Sequence, residues 1–119
     1  MNNSKLYSIL EHFDKYEQNR CRKYIISPYF NKNQALIDLY DVLIKNINSA
    51  KPKELTREMV WGKIHQDKKF DDVRCRKYLS DLLKLIENFL SQQIFESEDL
   101  QQAAYLIKAV SEKKIENLF

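Results

Sequence analysis

One glycine (Gly62) and two prolines (Pro28, Pro52) are all the chain-breakers in 119 residues. An all-β fold turns sharply every several residues, and such turns draw on glycine's positive φ or proline's fixed φ. With so few of either, long helices are the default. The same scarcity excludes glycine-rich phosphate loops, since neither a Walker A loop nor a dinucleotide fingerprint can be written with one glycine. The length suits a single domain with one core. The 44% hydrophobic and 31% charged residues are those of a globular chain rather than a disordered one.

Hydrophobic periodicity then places the helices. Leu6, Ile9, Leu10 and Phe13 fall on one face of a helix over about residues 4–13, with a break at Asp14, Lys15 and Tyr16. A second helix carries Cys21, Tyr24 and Ile25 and stops at Ser27-Pro28, because proline rejects the α conformation in its predecessor. Asn31 with Gln34 predicts the cap of a third helix to about Asn48, with Leu36, Tyr40, Leu43 and Ile47 inward. Residues 49–54 read as loop. Thr56 caps a fourth helix over 56–66, stapled by Leu55 and Val60, that buries Val60, Trp61 and Ile64. Gly62 inside that helix is costly, which predicts a close helix contact at it.

Asp71 or Asp72 starts the fifth and longest helix, to about Phe95, whose wide apolar face predicts a central position. Ser97, Glu98 and Asp99 predict a capped sixth helix running to Phe119, with Leu100, Ala103, Ile107 and Val110 on one face. Asn117 is its one candidate C-cap, so the expectation is that the natural chain continues or that this end docks on a partner. The fold class is therefore all-α. About six helices in antiparallel hairpins form a helical bundle, read as a single domain over 1–119 and as the start of a longer α-helical array.

An internal near-repeat stands out. Residues 15–25 (KYEQNRCRKYI) match residues 69–79 (KFDDVRCRKYL), with Arg20 to Tyr24 recurring unchanged as Arg74 to Tyr78. Each copy reads as a helix start. The aromatic (Tyr16 or Phe70) staples onto the cysteine, the acid (Glu17 or Asp71) caps, and Cys, Tyr and Ile or Leu form the inner stripe. Arg20, Arg22, Lys23, Arg74, Arg76 and Lys77 are left on outer faces, either simply solvated or as a duplicated surface for an anion.

Around these motifs the chain resembles the N-terminal region of uncharacterised all-helical proteins from Bacteroidetes bacteria. The likeness rests on Lys5 to Asn31, including SPYFN, on Asp71 to Leu90, and on Ala103 to Leu118. It implies a longer helical protein in a cytoplasmic bacterial setting, and transfers no activity or site residues.

Chemistry of other kinds finds little support. The acidic Glu11 and Asp14 rule out an apolar signal-peptide core in the first residues, and no apolar run approaches a membrane span. His12 and His65 have no nucleophile at a recognisable spacing. A zinc site drawn from His12, Cys21, His65 and Cys75 would lack any closely spaced pair. The adjacent carboxylates Asp71-Asp72 and Glu98-Asp99 sit where helix starts explain them. The expectation is no enzyme, no cofactor, no metal and no small-molecule substrate, with Cys21 and Cys75 buried as reduced thiols.

Two functions remain. The first is a protein-interaction or structural helical domain with a protein partner. The second is nucleic-acid binding through a helix-turn-helix-like unit at 56–80, with Arg74, Arg76 and Lys77 in the first turns of its second helix. Charge favours neither strongly. The net +3 divides into a basic 51–84 (10 basic, 6 acidic) and an acidic 85–119 (3 basic, 6 acidic).

Overall fold

Short polar side chains decide where the helices begin. Ser4 accepts a hydrogen bond from the Tyr7 N–H, Asp14 from Glu17, Asn33 from Ala35, Thr56 from Met59 and Asp71 from Arg74. Each satisfies one of the amide groups that a first helical turn leaves without a partner. The computed structural model describes residues 1–119 and is all-helical, with no strand. Its helices are α1 (Lys5–Glu11), α2 (Lys15–Ile26), α3 (Gln34–Asn48), α4 (Arg57–Ile64), α5 (Asp72–Ser97) and α6 (Asp99–Lys113), followed by a 3₁₀ turn at Glu116–Leu118. No helix is long and apolar enough to cross a membrane.

The chain divides into two compact units, Met1–Glu87 and Asn88–Phe119, with the division inside α5. In the first unit α3 holds the central position, packing against α1, α2 and α4. The expectation had given that place to α5. The reason lies in the third helix, whose Ala35, Leu36, Leu39, Tyr40 and Leu43 are all buried, an apolar arc broad enough to meet three neighbours. Leu10, Cys21, Ile25, Val60, Cys75, Leu82 and Ile86 complete the fully buried set.

Polar groups inside this core are matched. Tyr40 donates through its hydroxyl to the Gln18 carbonyl at 2.7 Å. The Gln18 and Asn48 amides exchange two hydrogen bonds, at 2.9 and 3.1 Å. The 49–54 loop is pinned rather than loose: Asn46 and Asn2 both donate to the Lys53 carbonyl, and Asn46 also accepts from the Lys53 N–H. No buried side-chain nitrogen or oxygen lacks a partner, as a core that must not strand desolvated dipoles requires.

Several local expectations are corrected. The cap of α2 is Asp14, not Glu17, so the helix starts earlier and Tyr16 lies within its first turn, 65% exposed, instead of stapling it. Asn33, not Asn31, caps α3. Asn31 is buried and does a different job: its amide donates to the Ile25 carbonyl and the Asn33 carbonyl, and its oxygen accepts from the Asn33 N–H. Gly62 meets nothing, since a Cβ there would have no atom within 4 Å. Glu98 precedes α6 without a side-chain cap, and Ser97 donates back to Ile94 instead.

The end of α6 is also different. It stops at Lys113, followed by Lys114 in the left-handed conformation at φ 57°. The Lys114 N–H bonds to the Ser111 carbonyl and the Ile115 N–H to Val110, at 3.1 and 3.2 Å. This is the Schellman pattern formed without glycine, and it satisfies carbonyls that a running helix would have used.

Candidate functional site

The two RCRKY copies meet different fates. In the second, Phe70 and Tyr78 are half-buried against Trp61. Tyr78 stacks on Trp61 with ring centres 6.0 Å apart and shares a 3.1 Å hydrogen bond between its hydroxyl and His65 Nε2, while Phe70 sits edge-on to Trp61 at 6.2 Å. Its cations are largely neutralised. Arg76 pairs with Asp72 at 3.1 Å, which also holds Arg57 at 2.6 Å, and Lys77 pairs with Asp81 at 3.0 Å. Arg74 alone of the three has an exposed side chain without an ion pair. Residues 65–71 separate α4 from α5, a longer link than the three or four residues of a helix-turn-helix.

In the first copy Arg22 makes a two-pronged pair with Asp41, at 2.9 and 3.0 Å, and this lifts its pKa further above an already high value. The rest faces outward. Tyr16, Arg20, Lys23 and Tyr24 share one side of α2 by helical spacing. The Arg20 guanidinium lies 5.6 Å from the Tyr16 ring centre and donates to the Tyr16 hydroxyl. Lys15, Lys23 and Lys32 are exposed with no carboxylate paired to them.

Beyond the end of α2, the turn at 27–31 extends this face with two more rings. Phe30 stacks on Tyr24, centres 4.1 Å apart and planes 16° apart, and Tyr29 stands edge-on to Phe30 at 5.1 Å. Tyr29 is 89% exposed. The buried Asn31 fixes the turn by bonding to both flanking helices. Sequence reasoning missed Tyr29, Phe30 and Lys32; the available signal was an aromatic pair just after Pro28, outside any helical stripe.

A second exposed surface lies on residues 94–119. Ile94, Leu100, Tyr105, Leu106, Ile107, Leu118 and Phe119 are between 51% and 84% exposed. By helical spacing Leu100, Ala103, Ala104 and Ile107 form one stripe, with small residues at its middle. Val110 is the one buried side chain of α6, and Tyr105 stacks on Phe95 at 5.5 Å. The apolar face expected from the sequence is there, but much of it lies open to solvent.

A third feature is a cavity of about 630 Å³ in the first unit, floored by Leu6, Leu55, Phe70, Leu79 and Leu83. The charges near its mouth are mostly paired with each other, Arg57 with Asp72 and Lys5 with Glu87. No group of three or more His, Cys, Asp or Glu side chains is placed to hold a metal ion. His12 hydrogen-bonds to the Ser8 carbonyl, His65 to Tyr78, and both cysteines are buried free thiols. Burial raises the Cys21 pKa to about 12, slightly offset by a hydrogen bond with Tyr40, and raises that of Cys75 as well. Asp71 is occupied as a cap and Asp72 as an ion-pair partner.

No protein-family model matches this chain, and neither a curated protein nor a solved structure matches it with significance.

Proposed function

We propose that this chain is a protein-interaction domain without catalytic activity, whose face on residues 94–119 docks on a helix of another part of a larger helical assembly. The observation that carries this reading is the exposure of seven large apolar side chains in so short a segment. Two of them, Leu100 and Ile107, share one stripe of α6 by helical spacing, and large apolar side chains grouped in water mark a contact site far more often than an idle one. A stripe with Ala103 and Ala104 between Leu100 and Ile107 suits a partner helix, because small residues let two backbones approach closely. The resemblance to all-helical Bacteroidetes proteins supports the same reading and a cytoplasmic setting, where the free thiols of Cys21 and Cys75 would stay reduced.

The test is site-specific photocrosslinking in cells that make the natural protein. A crosslinking residue at Leu100 or Ile107 is expected to give one discrete adduct, mapped by mass spectrometry to a helical segment, with none from exposed Lys45. Absence of adducts from both stripe positions, or the same adducts from position 45, would overturn the proposal.

A further inference from the structure

The first RCRKY copy presents a combination the rest of the molecule does not. Between Lys15 and Lys32 there are five basic residues and one acid, Glu17. One of the five, Arg22, is taken by Asp41. The unpaired Lys15, Lys23 and Lys32 share this segment with four aromatic rings: Tyr16 under Arg20, Tyr24 stacked with Phe30, and Tyr29 edge-on to Phe30 and open to solvent. We infer that α2 and the turn after it form a binding platform for single-stranded nucleic acid.

The chemistry follows from what each group can recognise. Every nucleobase has a π-face, so an exposed ring held at a fixed angle can stack on a base whatever the sequence. Tyr29 is such a ring, braced by Phe30 and by the turn that Asn31 locks to both helices. Because the ring is held in place before binding, little ordering cost is left to meet when a base arrives. Lys15, Lys23 and Lys32 supply charge for the phosphates that run between stacked bases.

A duplex hides its base faces and would use only the cations; an acidic protein would leave the exposed ring without a role. The second copy acts as an internal control. There Arg76 and Lys77 are paired with carboxylates and Phe70 and Tyr78 pack half-buried on Trp61, so the unpaired Arg74 has no exposed ring of that copy beside it. This inference uses a surface distinct from α6 and stands or falls separately from the docking proposal.

The experiment is fluorescence anisotropy with labelled oligouridine and oligothymidine, each about twelve nucleotides long, at about 50 and 200 mM salt. A duplex of equal length and an Asp/Glu-rich peptide serve as comparison probes. The wild-type chain is expected to bind a single strand in the micromolar range, with the oligouridine-to-oligothymidine ratio telling RNA from DNA. Tyr29→Ala should weaken binding about tenfold, and Tyr29→Phe, which keeps the stacking face, should restore it. Lys23→Glu/Lys32→Glu should weaken binding and flatten the salt dependence by about 0.7 for each phosphate that is no longer neutralised, whereas Arg74→Glu/Lys77→Glu should bind like wild type. Circular dichroism melts check that each variant is folded. No binding at low salt would overturn the inference. So would equal weakening by the Arg74→Glu/Lys77→Glu variant, failure of Tyr29→Phe to rescue, or equally tight binding of the duplex or the acidic peptide.

Discussion

Replacing Gly62 by alanine is expected to stabilise the Met1–Glu87 unit by about 0.5–1 kcal/mol. Glycine inside a helix loses more backbone freedom on folding than alanine does, and it normally persists there because a neighbour leaves no room for a Cβ. At Gly62 that neighbour is missing: nothing lies within 4 Å of where the Cβ would go. Its φ is not positive either, so a side chain adds no backbone strain. The full propensity difference is about 1 kcal/mol, and the lower bound allows for the position of Gly62 near the end of the short α4.

Trp61, the only tryptophan, is 3% exposed and sits next to the substitution, so its fluorescence follows this unit directly. At about 2.1 cal/mol/K of unfolding entropy per residue, a unit the size of Met1–Glu87 should gain about 3–5 °C in Tm. Gly62→Val should gain less than half as much, because β-branching costs side-chain freedom in a helix. A fall in Tm for Gly62→Ala, or a larger gain for valine than for alanine, would show that position 62 is governed by side-chain packing and not by backbone entropy.

Three further outcomes follow from the core. Leu43→Ala, at a side chain with 0% exposure in the central helix, should cost about 2–5 kcal/mol in urea unfolding followed at Trp61. Tyr40→Phe removes a 2.7 Å hydrogen bond to the Gln18 carbonyl and should cost about 1 kcal/mol; an unchanged midpoint would mean the hydroxyl contributes nothing. Cys21 should make stability depend on alkaline pH. Its folded pKa of about 12 lies above the ordinary 9.0, so the unfolded chain releases the proton first as pH rises. Its contribution is complete below pH 9 and is lost toward pH 12, at most about 1.4 kcal/mol per pH unit. Cys21→Ala should flatten that part of the curve, and the native thiol should react with a disulfide reagent only as fast as the unit opens.

Much of the fold was legible because helix formation is written locally. The apolar stripes of α1, α3 and α4, the Thr56 and Asp71 caps, and the stop at Ser27-Pro28 follow from neighbours within one or two turns, and the structure keeps them. Burial of Cys21 and Cys75 followed from the same stripes. The stop of α6 was not legible, because no glycine marks it: Lys114 takes a left-handed conformation that lysine seldom adopts. The emptiness around Gly62 could not be read either, since propensity describes the residue and not its neighbours in space. As for the candidate surfaces, the sequence pointed to six basic residues. Arg76 and Lys77 are held by Asp72 and Asp81, four residues away in the same helix and visible in the sequence, whereas only the tertiary structure brings Asp41 to Arg22; Lys23 and Arg74 have no such pair.

The near-repeat shows most clearly where the boundary falls. By itself the sequence determined that both RCRKY segments would be helical, with cysteine inward, because the spacing of apolar residues fixes which side a helix can bury. It also held, unread, the reason the copies start differently. Asp14 offers an oxygen to cap α2, whereas Lys68, its counterpart before the second copy, has none to offer, so α5 waits for Asp71. What the flanking aromatics do was decided only in three dimensions. Trp61 of α4 packs on Phe70 and Tyr78, and His65 at the end of that helix bonds to Tyr78, whereas Asp72 and Asp81 hold Arg76 and Lys77 from within α5 itself. Around α2 Asp41 takes Arg22, while Tyr16, Lys23 and Tyr29 stay exposed. The five identical residues thus fare much alike, with the cysteine buried and the tyrosine half-buried in both copies; what differs is the flanking rings, Tyr16 and Tyr29 left exposed beside the first and Phe70 packed on Trp61 beside the second, because the packing and not the string supplies those neighbours.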